Sequence, residues 1–178
     1  MKSQVNRSRE KSFLPVSLRI ITAIIRHPKN FFQDLPDSFG MRQAFIFLAV
    51  SALFFSAASL IQKGFDRPLL MAAIYLLNAI GMVFILAGLG YVVMIPATGR
   101  KIRFTRVFRI YALASSVTLL FSWVPFLVVI TEPWKWWLIG TGITRNCGLK
   151  FGQTVIVICL SIVIWMMLLR TVIPLISR

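Results

Sequence analysis

Acidic side chains are nearly missing from this 178-residue chain. Five Asp and Glu stand against twenty Lys and Arg, and one histidine and two cysteines complete the stock of metal-binding or basic groups. The acids, Glu10, Asp34, Asp37, Asp66 and Glu132, all lie outside the long apolar runs. A zinc site needs three or four Cys, His or carboxylate ligands close in space. Cys147 and Cys159 sit twelve residues apart with no second pair, so they read as free thiols. Cys159, among Val, Ile and Leu, reads as a small buried apolar residue. No apolar run offers a nucleophile with a positioned base or a pair of acids, which leaves a membrane-embedded hydrolase without its chemistry. The expectation is a non-enzymatic protein with no metal and no cofactor.

Charge of either sign is also scarce, at 14% of residues, while 58% are hydrophobic and Phe and Trp number 15 and 5. A soluble domain of this size leaves too much of its chain at the surface to hide that composition, so a soluble enzyme is excluded and a membrane protein remains. The formal charge of +15 would suggest nucleic acid in a soluble chain. Here the cations first serve to flank membrane segments, and no nucleic-acid partner is expected.

The chain divides into a basic N-terminal region, residues 1–42, expected to be cytoplasmic, and a helical membrane domain, 43–178. Residues 1–13 are polar and basic with no apolar core directly behind them, so no signal peptide is apparent and the start is expected to be retained. From Ser17 to Arg26 the apolar Leu18, Ile21, Ile24 and Ile25 recur at helical spacing, with Arg19, Thr22 and Arg26 on the other side. That segment is too short to span and predicts an amphipathic helix in the headgroup plane, ended by Pro28. Asn30–Arg42 then reads as an irregular interfacial stretch, its phenylalanines dipping into lipid or packing on the bundle.

The first span is predicted at Gln43–Ile61, about the twenty apolar residues a bilayer requires. Its small residues Ala49, Ala52, Ser56 and Ser59 fall at steps of three and four, a stripe where another helix can come close. A second span lies within Pro68–Ala97, longer than the hydrocarbon core requires, with Ala87, Gly88 and Gly90 thinning its later half. A third apolar segment runs from Phe104 to the Trp123-Val124-Pro125 interruption. Residues 133–148 form a short apolar segment, Trp134, Trp136 and Trp137 around Lys135 form an interfacial belt, and Gln153–Ser177 is the last span.

The positive-inside rule does not separate four spans from five. Either arrangement puts fifteen of the twenty Lys and Arg inside and five outside. Both share a cytoplasmic N-terminus, an external Lys63–Arg67 loop and a cytoplasmic Arg100–Arg109 loop.

The order of segments resembles the Yip (Ypt-interacting protein) membrane domain family. The resemblance rests on Arg26-His27-Pro28-Lys29-Asn30-Phe31-Phe32, on Phe104-Thr105-Arg106-Val107-Phe108-Arg109 leading into Tyr111-Ala112-Leu113-Ala114-Ser115-Ser116, on Trp123-Val124-Pro125, and on Gly148-Leu149-Lys150-Phe151-Gly152. It implies an all-α polytopic fold with five membrane helices, one of them short here, and a cytoplasmic N-terminus, and it carries no catalytic residues. Eukaryotic members bind prenylated Rab GTPases in vesicle traffic. The longer acidic and aromatic cytoplasmic region of those members is missing here, and with the compact size and basic loops the chain looks like a bacterial member of an inner membrane.

Among single residues, Arg103, Arg106 and Arg109 step by three at a helix entrance and are expected to share one cytoplasmic face. The plain reading is topological charge snorkelling to phosphates. The sharper one is a site for an anionic lipid headgroup or an acidic partner segment, each guanidinium holding a pair of phosphate oxygens. Asn78, deep in the second span, is expected to bond across to another helix, with permeation as the alternative. Ala52, Ser56 and Gly88 are expected at helix contacts. Arg170 is expected to snorkel outward, and His27 to be a solvated surface side chain. The leading function is a scaffold or accessory subunit that contacts anionic lipids and other subunits or itself. A small oligomeric transporter or channel around Asn78 is the rival.

Overall fold

The computed structural model describes residues 19–35, 39–63, 66–99 and 102–176, with side chains in the last helix as far as Met167. The expectations for residues 1–18 and for the side chain of Arg170 lie outside these. Every element among the described residues is helical: α1 over 19–26, α2 Pro28–Gln33, α3 Met41–Lys63, α4 Pro68–Thr98, α5 Phe104–Leu119, α6 Pro125–Cys147 and α7 Phe151–Ile176. Two stretches, Met41–Gln62 and Pro68–Pro96, are long and apolar enough to cross a membrane, and Phe151–Met167 is a shorter apolar helix.

Local chemistry sets the ends. Pro28, Pro68 and Pro125 open α2, α4 and α6, where a missing N–H costs nothing and the fixed φ suits the first turn. Gly99 and Gly148 close α4 and α6 at φ 63° and 68°, left-handed conformations that glycine adopts without a Cβ penalty, and the Gly99 N–H donates to Ile95 O at 3.0 Å.

Two sequence readings change here. Pro28 starts a new short helix instead of an irregular stretch, and Phe32 within it is fully buried. The polar Thr131-Glu132-Pro133 step does not interrupt the chain, so the supposed short segment at 133–148 is the second part of a 23-residue helix. Thr131 Oγ1 lies 3.2 Å from Ser122 Oγ and donates to Val128 O at 3.3 Å, while Lys135 donates to Glu132 at 2.7 Å. With these polar groups matched locally, one proline is absorbed inside the helix. The shortest of the long helices is α5, with 16 residues.

That short helix is the centre. It packs against α3, α4 and α6, while α7 closes against α4 and α6 and α2 lies on α6. Every residue from Val107 to Thr118 is buried. A helix that meets protein on all sides can carry polar groups that lipid would penalise, provided they are bonded. Ser116 Oγ accordingly donates to Ala112 O at 2.5 Å and Thr118 Oγ1 to Ser115 O at 3.0 Å, while Phe84 of α4 stacks on Phe108 with ring centres 4.6 Å apart. Outward faces of the other helices are apolar, with Leu53, Ile61, Leu69, Leu77, Val129 and Met166 among the exposed side chains.

Candidate functional site

The start of α5 carries the three arginines, and the structure separates them. Arg103 caps the helix and is exposed, Arg106 is half-buried and engaged, and Arg109 is 4% exposed inside the bundle. The cause is helical geometry. A residue turns the chain by about 100°, so a step of three falls about 60° short of a full turn and two steps swing the third side chain well off the first face. The expected single cytoplasmic face of three guanidiniums is therefore divided into an exposed one, a half-buried and engaged one, and an internal one. Arg109 Nη1 donates to the carbonyl of Phe39, 70 residues away, at 2.7 Å. It ties the connection between α2 and α3 to the central helix. The sequence held a signal for this, since Arg109 stands between Val107-Phe108 and Ile110-Tyr111, deeper than an entrance residue.

Neighbouring bonds build the same end of the molecule. Asn146 Nδ2, at the close of α6, donates to Phe32 O at 3.0 Å. Phe32 packs against Gly142, where a Cβ would come 3.2 Å from its ring and would collide with Ile110 of α5. These contacts fix α2 across the end of α6, beside the start of α5.

From this end a groove of about 470 Å³ runs between α2, α6 and α7. Lys29 and Arg145 line it, both exposed, and Gly140, Thr144, Thr154 and Ile158 form its depth, with Trp136 and Trp137 further along. Thr144 Oγ1 and Thr154 Oγ1 lie 3.0 Å apart across the two helices. A second cavity, about 250 Å³, opens between α4, α5 and α6 and is lined by Asn78, Ser115, Thr118, Ser122, Glu132 and Lys135 among apolar neighbours.

Asn78 is thus an exposed wall of that cavity, and no bond from it to another helix is seen among the described residues, contrary to the expectation. Gly88 is half-buried and a Cβ there would meet nothing within 4 Å. The close approach in α4 lies two residues on, at Gly90, where a Cβ would fall on the Tyr111 hydroxyl and 2.9 Å from its Cζ. Ala52 is fully buried, and Ser56, also buried, donates its hydroxyl to Ala72 O of α4 at 2.9 Å. His27 is an exposed side chain at the break before α2.

Among the described residues no group of three or more His, Cys, Asp or Glu could hold a metal ion. Cys147 is buried, whereas Cys159, expected to be buried, is exposed on α7. The Yip1 domain family matches residues 22–173. No curated protein and no solved structure matches the chain.

Proposed function

This chain belongs to the Yip1 domain family, and from that premise we propose that it works as a scaffold or accessory subunit of a bacterial inner membrane. It acts there without catalysis, through helix contacts and lipid headgroups. In this reading α3 to α7 all span, the N-terminus is cytoplasmic, and the amphipathic helix that includes 19–26 lies along the inner surface with Ile24 anchored in the core.

The observation that supports it is the inside-out arrangement of the bundle. The central helix spends its polar groups inward and is fully occupied by its neighbours, so what the protein offers to others is its outer apolar rows and its basic end. In lipid, such rows gain nothing from water exclusion alone, and association relies on packing and polar contacts, the usual vocabulary of subunit interfaces. Arg103 and Arg106 are the headgroup or acidic-segment contacts in this scheme, while Arg109 serves the fold. Purification in mild detergent tests the reading. A companion subunit or a second copy at fixed stoichiometry is expected, and a lone monomer that retains its biological activity would overturn it.

The second reading, a small transporter or channel component, is favoured by one observation. The cavity beside Asn78 brings hydroxyls of α5 and the Glu132–Lys135 pair together among apolar neighbours in a single space. Solute flux into vesicles that contain only this protein, abolished by Asn78→Leu, would shift the assignment to transport.

A further inference from the structure

We propose that the groove between α2, α6 and α7 holds one anionic glycerophospholipid, its phosphate between Lys29 and Arg145 and an acyl chain along the α6–α7 floor. Two features of the groove, charge and length, select that class of ligand.

Lys29 and Arg145 bring two cations to one end of it, and no lining residue is acidic. The nearest acid on α6, Glu132, is already paired with Lys135, far from Arg145 along the helix. Lys29 is not placed there by chance of a mobile tail. It sits three residues before Phe32, whose ring is locked over Gly142 and whose carbonyl accepts from Asn146, so the packing of α2 delivers the ammonium to the mouth of the groove. Arg145 comes from α6 itself, one turn beyond Thr141 in the groove wall.

Length and polarity then separate a lipid from a free anion. From Arg145 back to Trp136 the α6 wall runs nine residues, about 14 Å of helix. Along it the α6 wall turns from Arg145 to Thr144 and Thr141 and then to Gly140, Trp137 and Trp136, with Ile158 of α7 facing Gly140, the polarity sequence of a phosphate, a glycerol ester region and an acyl chain. A phosphate or an acidic peptide would use the charged mouth and leave the apolar floor empty. The groove also opens sideways, since Phe151, Val155 and Trp137 beside it are exposed on the outer surface of the bundle, so a lipid can enter from the bilayer. Its volume falls within the range of ordinary ligand pockets.

The inference deepens the lipid-contact reading and rests on it only in requiring a bilayer. It stands apart from Arg103 and Arg106 and from any companion subunit, so the two can fail separately. Trp136 and Trp137 make the test optical, because bromine atoms on an acyl chain quench a nearby indole. The full chain is reconstituted in phosphatidylcholine vesicles doped with brominated phosphatidylglycerol or brominated phosphatidylcholine at the same salt. Saturable quenching is expected at a lower mole fraction of the anionic lipid, and Trp136→Phe with Trp137→Phe should remove that component. Lys29→Gln and Arg145→Gln should each weaken the preference roughly fivefold, the size expected of one basic side chain near anionic lipid. Arg67→Gln, an exposed cation before α4 at the other end of the bundle, should leave it unchanged, and Val155→Phe, a change at an exposed wall position, should reduce quenching by both lipids. Thermal unfolding of each variant separates loss of binding from loss of fold. Equal quenching by the two lipids in the unaltered protein overturns the proposal, as does displacement of the anionic lipid by inorganic phosphate or by an acidic peptide at constant ionic strength.

Discussion

Arg103 and Arg109 lie six residues apart on one helix and should respond to mutation in opposite ways. Replacing Arg109 by Ala leaves the Phe39 carbonyl without its donor and empties the space of a buried guanidinium, at a cost of about 2–4 kcal/mol. Replacing Arg103 by Ala, at an exposed position, should stay within about 0.5 kcal/mol. Thermal unfolding in detergent reads both, and equal sensitivity would remove the internal role of Arg109. For lipid or partner association the order reverses. Arg103→Lys with Arg106→Lys should weaken binding at constant salt by about 1 kcal/mol per site at most, because lysine offers a point charge where arginine offers a planar fork. Gly90 and Gly88 make a second pair. Gly90→Ala drives a methyl onto the buried Tyr111 ring and should cost about 1–3 kcal/mol, whereas Gly88→Ala meets open space and should be neutral or slightly stabilising. Tyr111→Phe should recover part of the Gly90→Ala loss, since the hydroxyl is the atom struck first.

Helix contacts were legible in the sequence where they depend on spacing, and less so where they depend on direction. Three of the four small residues of the α3 stripe, Ala52, Ser56 and Ser59, fall on its buried side with Ala44 and Leu48, while Ala49 is half-buried. Leucine at position 52 or 56 should therefore force α3 and α4 apart, by about 1–3 kcal/mol each, and position 56 should also lose the bond to Ala72 O. Unchanged melting of the double variant would place that stripe against lipid. By contrast, the composition of α4 named Gly88 when the neighbouring tyrosine lay over Gly90, and nothing in a run of Ala and Gly tells which one a distant ring will find. The polar Thr131-Glu132 step ahead of the supposed short segment at 133–148 was misleading for a related reason. Its hydroxyl and carboxylate find partners three or nine residues away, which a linear reading scores as polarity and the fold scores as satisfied bonds.

At the scale of the molecule, composition and the apolar runs carried the all-helical apolar character, and the resemblance carried the family. The central position of α5 was hidden, since its serines, threonines and arginines make it the least lipid-like of the long helices while the bundle buries it most completely. Its position gives the architecture its logic: a polar-tolerant core helix, apolar outer helices, and a basic end with a groove beside it. Orientation in the bilayer is the claim on which that logic depends, and labelling of single cysteines with a membrane-impermeant maleimide tests it most directly. In a background of Cys147→Ser and Cys159→Ala, Asp66→Cys and Arg178→Cys should react in intact cells, while Arg103→Cys and Lys150→Cys should react only after permeabilisation. Reaction of Lys150→Cys from outside, with Arg178→Cys protected until the membrane is opened, would contradict the proposed five spans and the proposed cytoplasmic side of the basic end.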